Sequence, residues 1–154
     1  MSMRNILLAD DSSMDVELTL RALQPYQIVN KIDVARDGDE ALDYLYCRGP
    51  FADRGKGNPI LILLDLKMPK VDGIEVLRQI RAEPALKLIP VVVLTSSREQ
   101  QDIVESYALG VNAYIVKPVQ FEKFMAAVQQ LGVFWLLINE PPPGLNPDEI
   151  LRMS

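Results

Sequence analysis

Residues 60–64 form an uninterrupted run of five aliphatic side chains that ends directly at Asp65. A continuous apolar run of this length is typical of a central strand in a parallel sheet, which is buried on both faces. Parallel strands need crossover connections, which are usually helices that cover the sheet. The run therefore favours an α/β architecture.

Shorter apolar runs alternate with amphipathic segments along the rest of the chain. They predict four further strands, at residues 6–9, 28–35, 91–94 and 113–116. A helix is predicted after each strand, and the last helix begins near Phe121. Five β-α units indicate a five-stranded parallel sheet flanked by helices on both faces. We expect one domain over residues 1–138 and an extended, proline-rich arm over residues 139–154.

The chain contains no histidine. It is therefore not a histidine kinase, a histidine phosphotransfer protein, a Ser-His-Asp hydrolase or a His-ligated zinc enzyme. Its chemistry has to use carboxylates, lysine, hydroxyl groups and a hard metal ion. The net charge of −5 argues against nonspecific binding to nucleic acid.

The single cysteine, Cys47, cannot form an intramolecular disulfide, which fits a reducing compartment. We interpret it as a small, partly buried apolar residue rather than a reactive thiol. Arg4 and Asn5 lead straight into the first strand, so no signal peptide is recognisable. The longest apolar runs are too short to cross a bilayer. We therefore expect a cytoplasmic protein with no membrane association.

Four of the five predicted strands end at reactive side chains. The first ends at Asp10 and Asp11, the third at Asp65, the fourth at Thr95 and the fifth at Lys117. Ligands bind at the carboxyl edge of open α/β sheets, so we expect these groups to converge there. Clustered carboxylates repel one another unless a cation lies among them. Lys117 supplies one positive charge, and Mg²⁺, which prefers oxygen ligands, would supply the rest.

Each of these residues also has a purely structural interpretation. Asp10 and Asp11 could form a turn or an N-cap pair, and Asp65 could start a turn. Thr95 could cap the next helix, and Lys117 could be solvated. Their joint position at the ends of buried strands favours a functional cluster, because separate structural roles would have to coincide at one edge.

The combined pattern resembles the receiver domain of two-component response regulators. The motifs are Asp10-Asp11, Asp65 before Met68-Pro69 and Asp72-Gly73, Thr95-Ser96, and Lys117-Pro118, and the resemblance covers about residues 4–131. It implies a flavodoxin-like fold with strand order 2-1-3-4-5. It also implies that Asp65 accepts a phosphoryl group from a histidine kinase and that the chain signals by phosphorylation-dependent protein–protein interaction.

The same resemblance assigns the metal ligands. Asp11, Asp65 and the backbone carbonyl of Lys67 would hold Mg²⁺, and Asp10 would help through water. Lys67 stands where the chemotaxis receiver has a small polar amide. We expect this long cation to hinder the water that hydrolyses the acyl phosphate, and hence slow autodephosphorylation. The alternative is that Lys67 points into solvent.

The resemblance assigns a switch as well. Lys117 would contact one phosphoryl oxygen, and the Thr95 hydroxyl would donate a hydrogen bond to another. Tyr114 would be the aromatic residue that turns inward when Thr95 moves. Tyr114 could equally be a half-buried strand residue with a packing role only. The peptide bond before Pro118 is cis in the family.

A narrower resemblance concerns partners. The long loop at residues 48–59 and the segment at residues 134–142 resemble single-domain regulators that pair with bacterial and cyanobacterial phytochromes. This implies a bacteriophytochrome as the histidine kinase. Too little chain follows the last helix for an output domain, so we expect none. The apolar segment Phe134–Ile138 either folds back as core or extends a homodimer surface made by the fourth helix, fifth strand and fifth helix. We favour the dimer, because exposed aromatic residues promote aggregation.

The sequence disfavours three other functions. A phosphorylation-independent adaptor of the same fold is disfavoured by the intact set of Asp11, Asp65, Thr95 and Lys117. A haloacid-dehalogenase-type phosphatase needs an acid two residues after its nucleophile, where this chain has Lys67. A flavodoxin-like nucleotide-binding protein needs a phosphate-binding glycine loop after the first strand, and none is present there.

Overall fold

The computed structural model describes residues 5–23, 31–54, 57–120, 122–124 and 126 of the 154-residue chain. Within these residues, a five-stranded sheet has the order β2-β1-β3-β4-β5, and all neighbouring strands are parallel. The strands are β1 (Ile6–Ala9), β2 (Ile32–Ala35), β3 (Leu61–Leu64), β4 (Val91–Thr95) and β5 (Ala113–Val116). The predicted architecture and strand order are therefore confirmed.

Helices connect the strands. They are α1 (Ser13–Leu23), α2 (Gly38–Tyr46), α3 (Gly73–Ala82) and α4 (Gln100–Ala108). Residues 122–124 and 126 are helical as well, whereas Phe121, where the last helix was predicted to begin, lies outside the described residues. Residues 127–154 also lie outside them, so the domain boundary at residue 138 and the extended arm stay predictions.

Successive strand residues point to opposite faces of the sheet, and each face carries its own apolar core. On one face, Leu7 and Ile62 pack with residues of α2 and α3. On the other face, Leu8 and Leu61 pack with residues of α1 and with Phe124. Every side chain of β3 is buried, as its aliphatic run predicts. Helices on both faces follow from this two-sided burial.

Three strand ends and one loop differ from the sequence prediction. β3 begins at Leu61 rather than at residue 60, and β4 ends at Thr95 rather than at residue 94. The second strand begins at Ile32 rather than at residue 28; Lys31 lies outside the strand, and residues 28–30 are not among the described ones. The described part of the polar loop at residues 48–59, which is residues 48–54 and 57–59, contains more regular structure than expected. It contains a short 3₁₀ turn, Gly49–Phe51, and Phe51 packs edge-on against Tyr44 of α2 with ring centroids 5.2 Å apart. A buried aromatic contact therefore anchors this loop.

No helix among the described residues is long and apolar enough to cross a membrane.

Candidate active site at the carboxyl edge of the sheet

The first carboxylates of the site are fixed by the sheet itself. The backbone N–H of Asp10 donates to Ala35 O, and that of Asp65 donates to Ala9 O, each at 2.9 Å. These bonds continue the sheet one residue beyond β1 and β3. Asp10 is 1 % and Asp65 is 5 % exposed, whereas Asp11 is exposed. One carboxylate oxygen from each of Asp10, Asp11 and Asp65 lies within 4.8 Å of the other two, so these three carboxylates converge as predicted.

Lys117 completes the cluster from the end of β5. Its Nζ donates hydrogen bonds to Asp10 Oδ2 at 2.7 Å, to Asp65 Oδ2 at 2.9 Å and to Asp15 Oδ2 at 2.9 Å. The peptide bond between Lys117 and Pro118 is cis, as the family resemblance implies. The structure thus contradicts a solvated Lys117 and places its ammonium among three carboxylates.

Burial and charge act in opposite directions on these groups. Burial acts to lower the pKa of Lys117, but the hydrogen bonds from its ammonium to Asp10, Asp65 and Asp15 outweigh burial and raise this pKa above its usual value. Burial raises the pKa of Asp10 despite its bond to Lys117. Among the described residues, four carboxylates, those of Asp10, Asp11, Asp15 and Asp65, lie around this one ammonium.

The donor set fits a divalent cation. Three carboxylates within 4.8 Å offer the oxygen ligands that Mg²⁺ prefers. The backbone N–H of Lys67 donates to Asp65 Oδ1 at 3.2 Å, so the chain at Lys67 passes directly beside the same carboxylate. This local fold is compatible with the metal-ligand role that the sequence predicts for the Lys67 carbonyl.

The side chain of Lys67 turns toward α4. Its Nζ lies 3.3 Å from Asp102 Oδ2, and Ser97 Oγ donates to the same oxygen at 2.6 Å. The hydrogen bond from Ser97 and the nearby Lys67 ammonium hold the pKa of Asp102 below its usual value. The Lys67 side chain is therefore 58 % exposed to solvent and is paired with Asp102 rather than with Asp10, Asp11 or Asp65.

Thr95 and Tyr114, the predicted switch residues, both contact Ser97. Thr95 is fully buried at the end of β4, and its Oγ1 accepts a hydrogen bond from the Ser97 N–H at 3.3 Å. The Tyr114 hydroxyl donates to Ser97 O at 3.0 Å, and its ring is half-buried. The β4–α4 loop thus links the two side chains in this structure, while their movement on phosphorylation stays a prediction.

The structure gives both residues of the Asp72-Gly73 motif a role at the start of α3. A Cβ atom at position 73 would lie 2.3 Å from the carbonyl oxygen of Asp65, a distance that backbone atoms do not tolerate. The preceding Asp72 caps α3, because its carboxylate accepts a hydrogen bond from the Glu75 N–H at 3.0 Å. Glycine therefore allows the start of α3 to pack directly against Asp65 and fix its backbone.

Asp15 is the site residue that the sequence prediction missed. It lies in the first turn of α1, where its N–H donates to Ser12 Oγ at 3.2 Å. Its spacing was an available signal: Asp15 is four residues after Asp11, so a helix that starts at the sheet edge returns it to that edge.

Comparison with known proteins identifies relatives. The response regulator receiver domain family matches residues 6–129. The response regulator Rcp1 of Synechocystis sp. is 41 % identical over 131 residues, which is 85 % of this chain and 88 % of Rcp1. A crystal structure of Rcp1 in an Mn²⁺-bound form covers 86 % of this chain and 94 % of its own, with a TM-score of 0.71.

Two further solved structures are similar along nearly the whole chain. The bacteriophytochrome response regulator RtBRR is 53 % identical, with a TM-score of 0.82, and the match covers 99 % of this chain and 91 % of RtBRR. The phosphorylated cyanobacterial phytochrome response regulator RcpA is 41 % identical, with a TM-score of 0.72, over 88 % of this chain and 95 % of its own.

Proposed function

Because this chain belongs to the response regulator receiver domain family, we propose that its Asp65 accepts a phosphoryl group from the phosphohistidine of a histidine kinase. One observation carries the proposal. The Asp65 carboxylate belongs to a tight cluster of carboxylates and accepts a hydrogen bond from the buried Lys117 ammonium. The phosphorylated protein then signals by binding other proteins.

The only covalent bond that the protein forms in this transfer is the one from Asp65 to phosphorus. An oxygen of Asp65 forms a bond to phosphorus while the P–N bond to the donor imidazole breaks, and the bonding electron pair returns to the imidazole nitrogen. Positioning and charge neutralisation supply most of the catalysis in such transfers. Lys117 Nζ, 2.9 Å from Asp65 Oδ2, contacts an oxygen of the incoming group. Thr95, which ends the strand beside β3, supplies a hydroxyl donor to another oxygen.

We propose Mg²⁺ as the cofactor, held by Asp11, Asp65 and the backbone carbonyl of Lys67, with Asp10 acting through water. The oxygen cluster supports this proposal, and so does the Mn²⁺-bound form of the relative Rcp1. When bound, the cation neutralises charge that develops on the phosphoryl oxygens.

Intact-protein mass after incubation with acetyl phosphate tests this function. We expect one phosphoryl adduct with Mg²⁺ present and none with excess chelator. A phosphorylated bacteriophytochrome kinase is the second donor, because we propose that kinase class as the partner; the similarity to RtBRR supports this choice. If neither donor modifies the protein, the phosphorylation-independent adaptor becomes the better interpretation.

We propose that Lys67 slows hydrolysis of the acyl phosphate. The Lys67 backbone N–H lies 3.2 Å from Asp65 Oδ1, so this long side chain begins directly beside the acceptor, and its ammonium pairs with Asp102 at 3.3 Å. Replacing Lys67 by asparagine should therefore shorten the phosphoryl lifetime several-fold. The decay of the adduct after removal of acetyl phosphate measures this lifetime.

The control for this substitution is Lys70→Asn in the same loop. Lys70 pairs with Asp37 at 3.4 Å and has a positive φ that asparagine accepts well. We expect its lifetime to match that of the wild type. A lifetime that Lys67→Asn leaves unchanged would refute the role of Lys67.

We propose a homodimer through α4, β5 and the helix that follows, extended by Phe134–Ile138, a segment outside the described residues. Val104 and Tyr107 of α4 support this choice, because they are 58 % and 52 % exposed although apolar or aromatic.

Tyr107→Glu should convert the dimer to a monomer in light-scattering measurements of molar mass. Leu88→Glu, at an exposed apolar residue before β4, should leave the dimer intact. Identical molar masses for the wild type and Tyr107→Glu would contradict this interface.

A further inference from the structure

Asp15 occupies a distinct place among the partners of Lys117. The lysine ammonium has three N–H groups, and each has one acceptor: Asp10 at 2.7 Å, Asp15 at 2.9 Å and Asp65 at 2.9 Å. The Lys117 side chain is only 9 % exposed, so these carboxylates determine where its ammonium lies. The position of the ammonium therefore depends on three anchors rather than on solvent.

The three carboxylates that anchor Lys117 differ in their other roles in the site. Asp10 and Asp65 both belong to the oxygen cluster that suits a metal ion, and Asp65 is also the proposed phosphoryl acceptor. Asp15 lies outside that cluster. Among the residues that the structure describes, Lys117 is the one polar side chain that its carboxylate contacts. Asp15 is therefore the anchor that has no second role in the reaction.

The chemistry of the transfer makes this difference matter. When an Asp65 oxygen bonds to phosphorus, that carboxylate loses its negative charge and becomes a weaker acceptor. The N–H of Lys117 that pointed to Asp65 is then available for a phosphoryl oxygen. The ammonium keeps its position for this exchange only if another anchor stays in place.

We propose that Asp15 is a positioning residue for phosphoryl transfer, which holds the Lys117 ammonium over Asp65 while the acceptor oxygen bonds to phosphorus. This inference rests on the proposed function of Asp65. The Asp15 carboxylate lies on α1 and is not part of the Asp10-Asp11 motif. Without the Asp15 carboxylate, the Lys117 ammonium should stay in the site but be held less precisely over Asp65.

The test compares Asp15→Ala with Asp15→Asn, which keeps an oxygen acceptor but not the charge. A charge-assisted hydrogen bond of this kind corresponds to a rate effect on the order of tenfold. We expect the maximal rate of phosphorylation by acetyl phosphate to fall by about tenfold in Asp15→Ala, with an intermediate rate in Asp15→Asn. The acetyl phosphate concentration for half-maximal rate should change little, because Asp15 acts on Lys117 and not on the donor.

A second measurement does not depend on activity. The ¹⁵N NMR signal of the Lys117 ammonium in metal-free protein reports its hydrogen bonds, and we expect it to shift in both variants. Glu17→Gln is the matched control, since Glu17 lies on the same helix and pairs with Arg21 instead. It should change neither the rate nor the signal, and circular dichroism checks that all variants are folded.

The outcomes separate this inference from the function on which it rests. If the wild type and Asp15→Ala are phosphorylated equally fast, the positioning role is wrong and the function of Asp65 stands. A slower Asp15→Ala with an unshifted Lys117 signal also overturns the role, because Asp15 would then act by another route. If no donor modifies the wild type, both proposals fail together.

Discussion

Replacing Asp65 by asparagine should abolish phosphorylation by acetyl phosphate and by a histidine kinase. The amide oxygen of asparagine carries no charge and is a poor nucleophile, so the bond to phosphorus does not form. The substitution is nearly isosteric and leaves an oxygen that can accept the hydrogen bond from Lys117. In the wild type, Lys117 Nζ lies 2.9 Å from Asp65 Oδ2. We therefore expect a folded protein that intact-mass measurement shows without adduct.

The control carries the same chemical change elsewhere. Asp39 is exposed in the first turn of α2, so Asp39→Asn removes one carboxylate without touching the site. It should be phosphorylated to the extent of the wild type. An adduct of normal yield on Asp65→Asn would mean that another residue is the acceptor.

Replacing Lys117 by methionine should lower both the rate of phosphorylation and the free energy of unfolding. Without its cation, the site keeps Asp10 and Asp65 buried at 1 % and 5 % exposure with no positive charge beside them. Breaking a buried ion pair in this way costs about 3 kcal/mol of the free energy of unfolding. The loss of a charge contact to the phosphoryl group slows phosphorylation by about 10²-fold.

Urea unfolding and phosphorylation rates measure these two effects separately. Mg²⁺ should restore part of the lost stability, because it binds the folded carboxylate cluster and not the unfolded chain. The double variant Lys117→Met/Asp10→Asn should regain stability without regaining activity. Lys87→Met, at an exposed lysine, should change neither quantity. A Lys117→Met protein as stable as the wild type without metal would contradict this electrostatic account.

Much of the fold follows from local sequence patterns. The aliphatic run before Asp65 is buried on both faces as β3, and the polar residues after four strands meet at one edge, because parallel strands all end on the same side. The cluster of Asp10, Asp11 and Asp65 and its contact with Lys117 were predictable for this reason. Their spacing along the chain is large, but the sheet topology brings them together.

The remaining features depend on contacts that sequence patterns do not encode. The partner of Lys67 is Asp102 on α4, and because α3 and β4 lie between the two residues along the chain, their 3.3 Å distance depends on the tertiary fold. The loop at residues 48–59 is polar in sequence, yet Phe51 of its 3₁₀ turn packs against Tyr44. The spacing of Asp15 from Asp11 indicates only that Asp15 returns to the sheet edge, whereas its contact with Lys117 joins residues 102 positions apart.

Chemical reduction identifies the residue that carries the acyl phosphate. Borohydride reduces an aspartyl phosphate to homoserine and releases phosphate, so a peptide map by tandem mass spectrometry locates the modified residue. Our account predicts homoserine at position 65 in the phosphorylated wild type, and aspartate there in protein that was never given a phosphoryl donor. Homoserine at any other aspartate, with aspartate intact at position 65, would contradict the account.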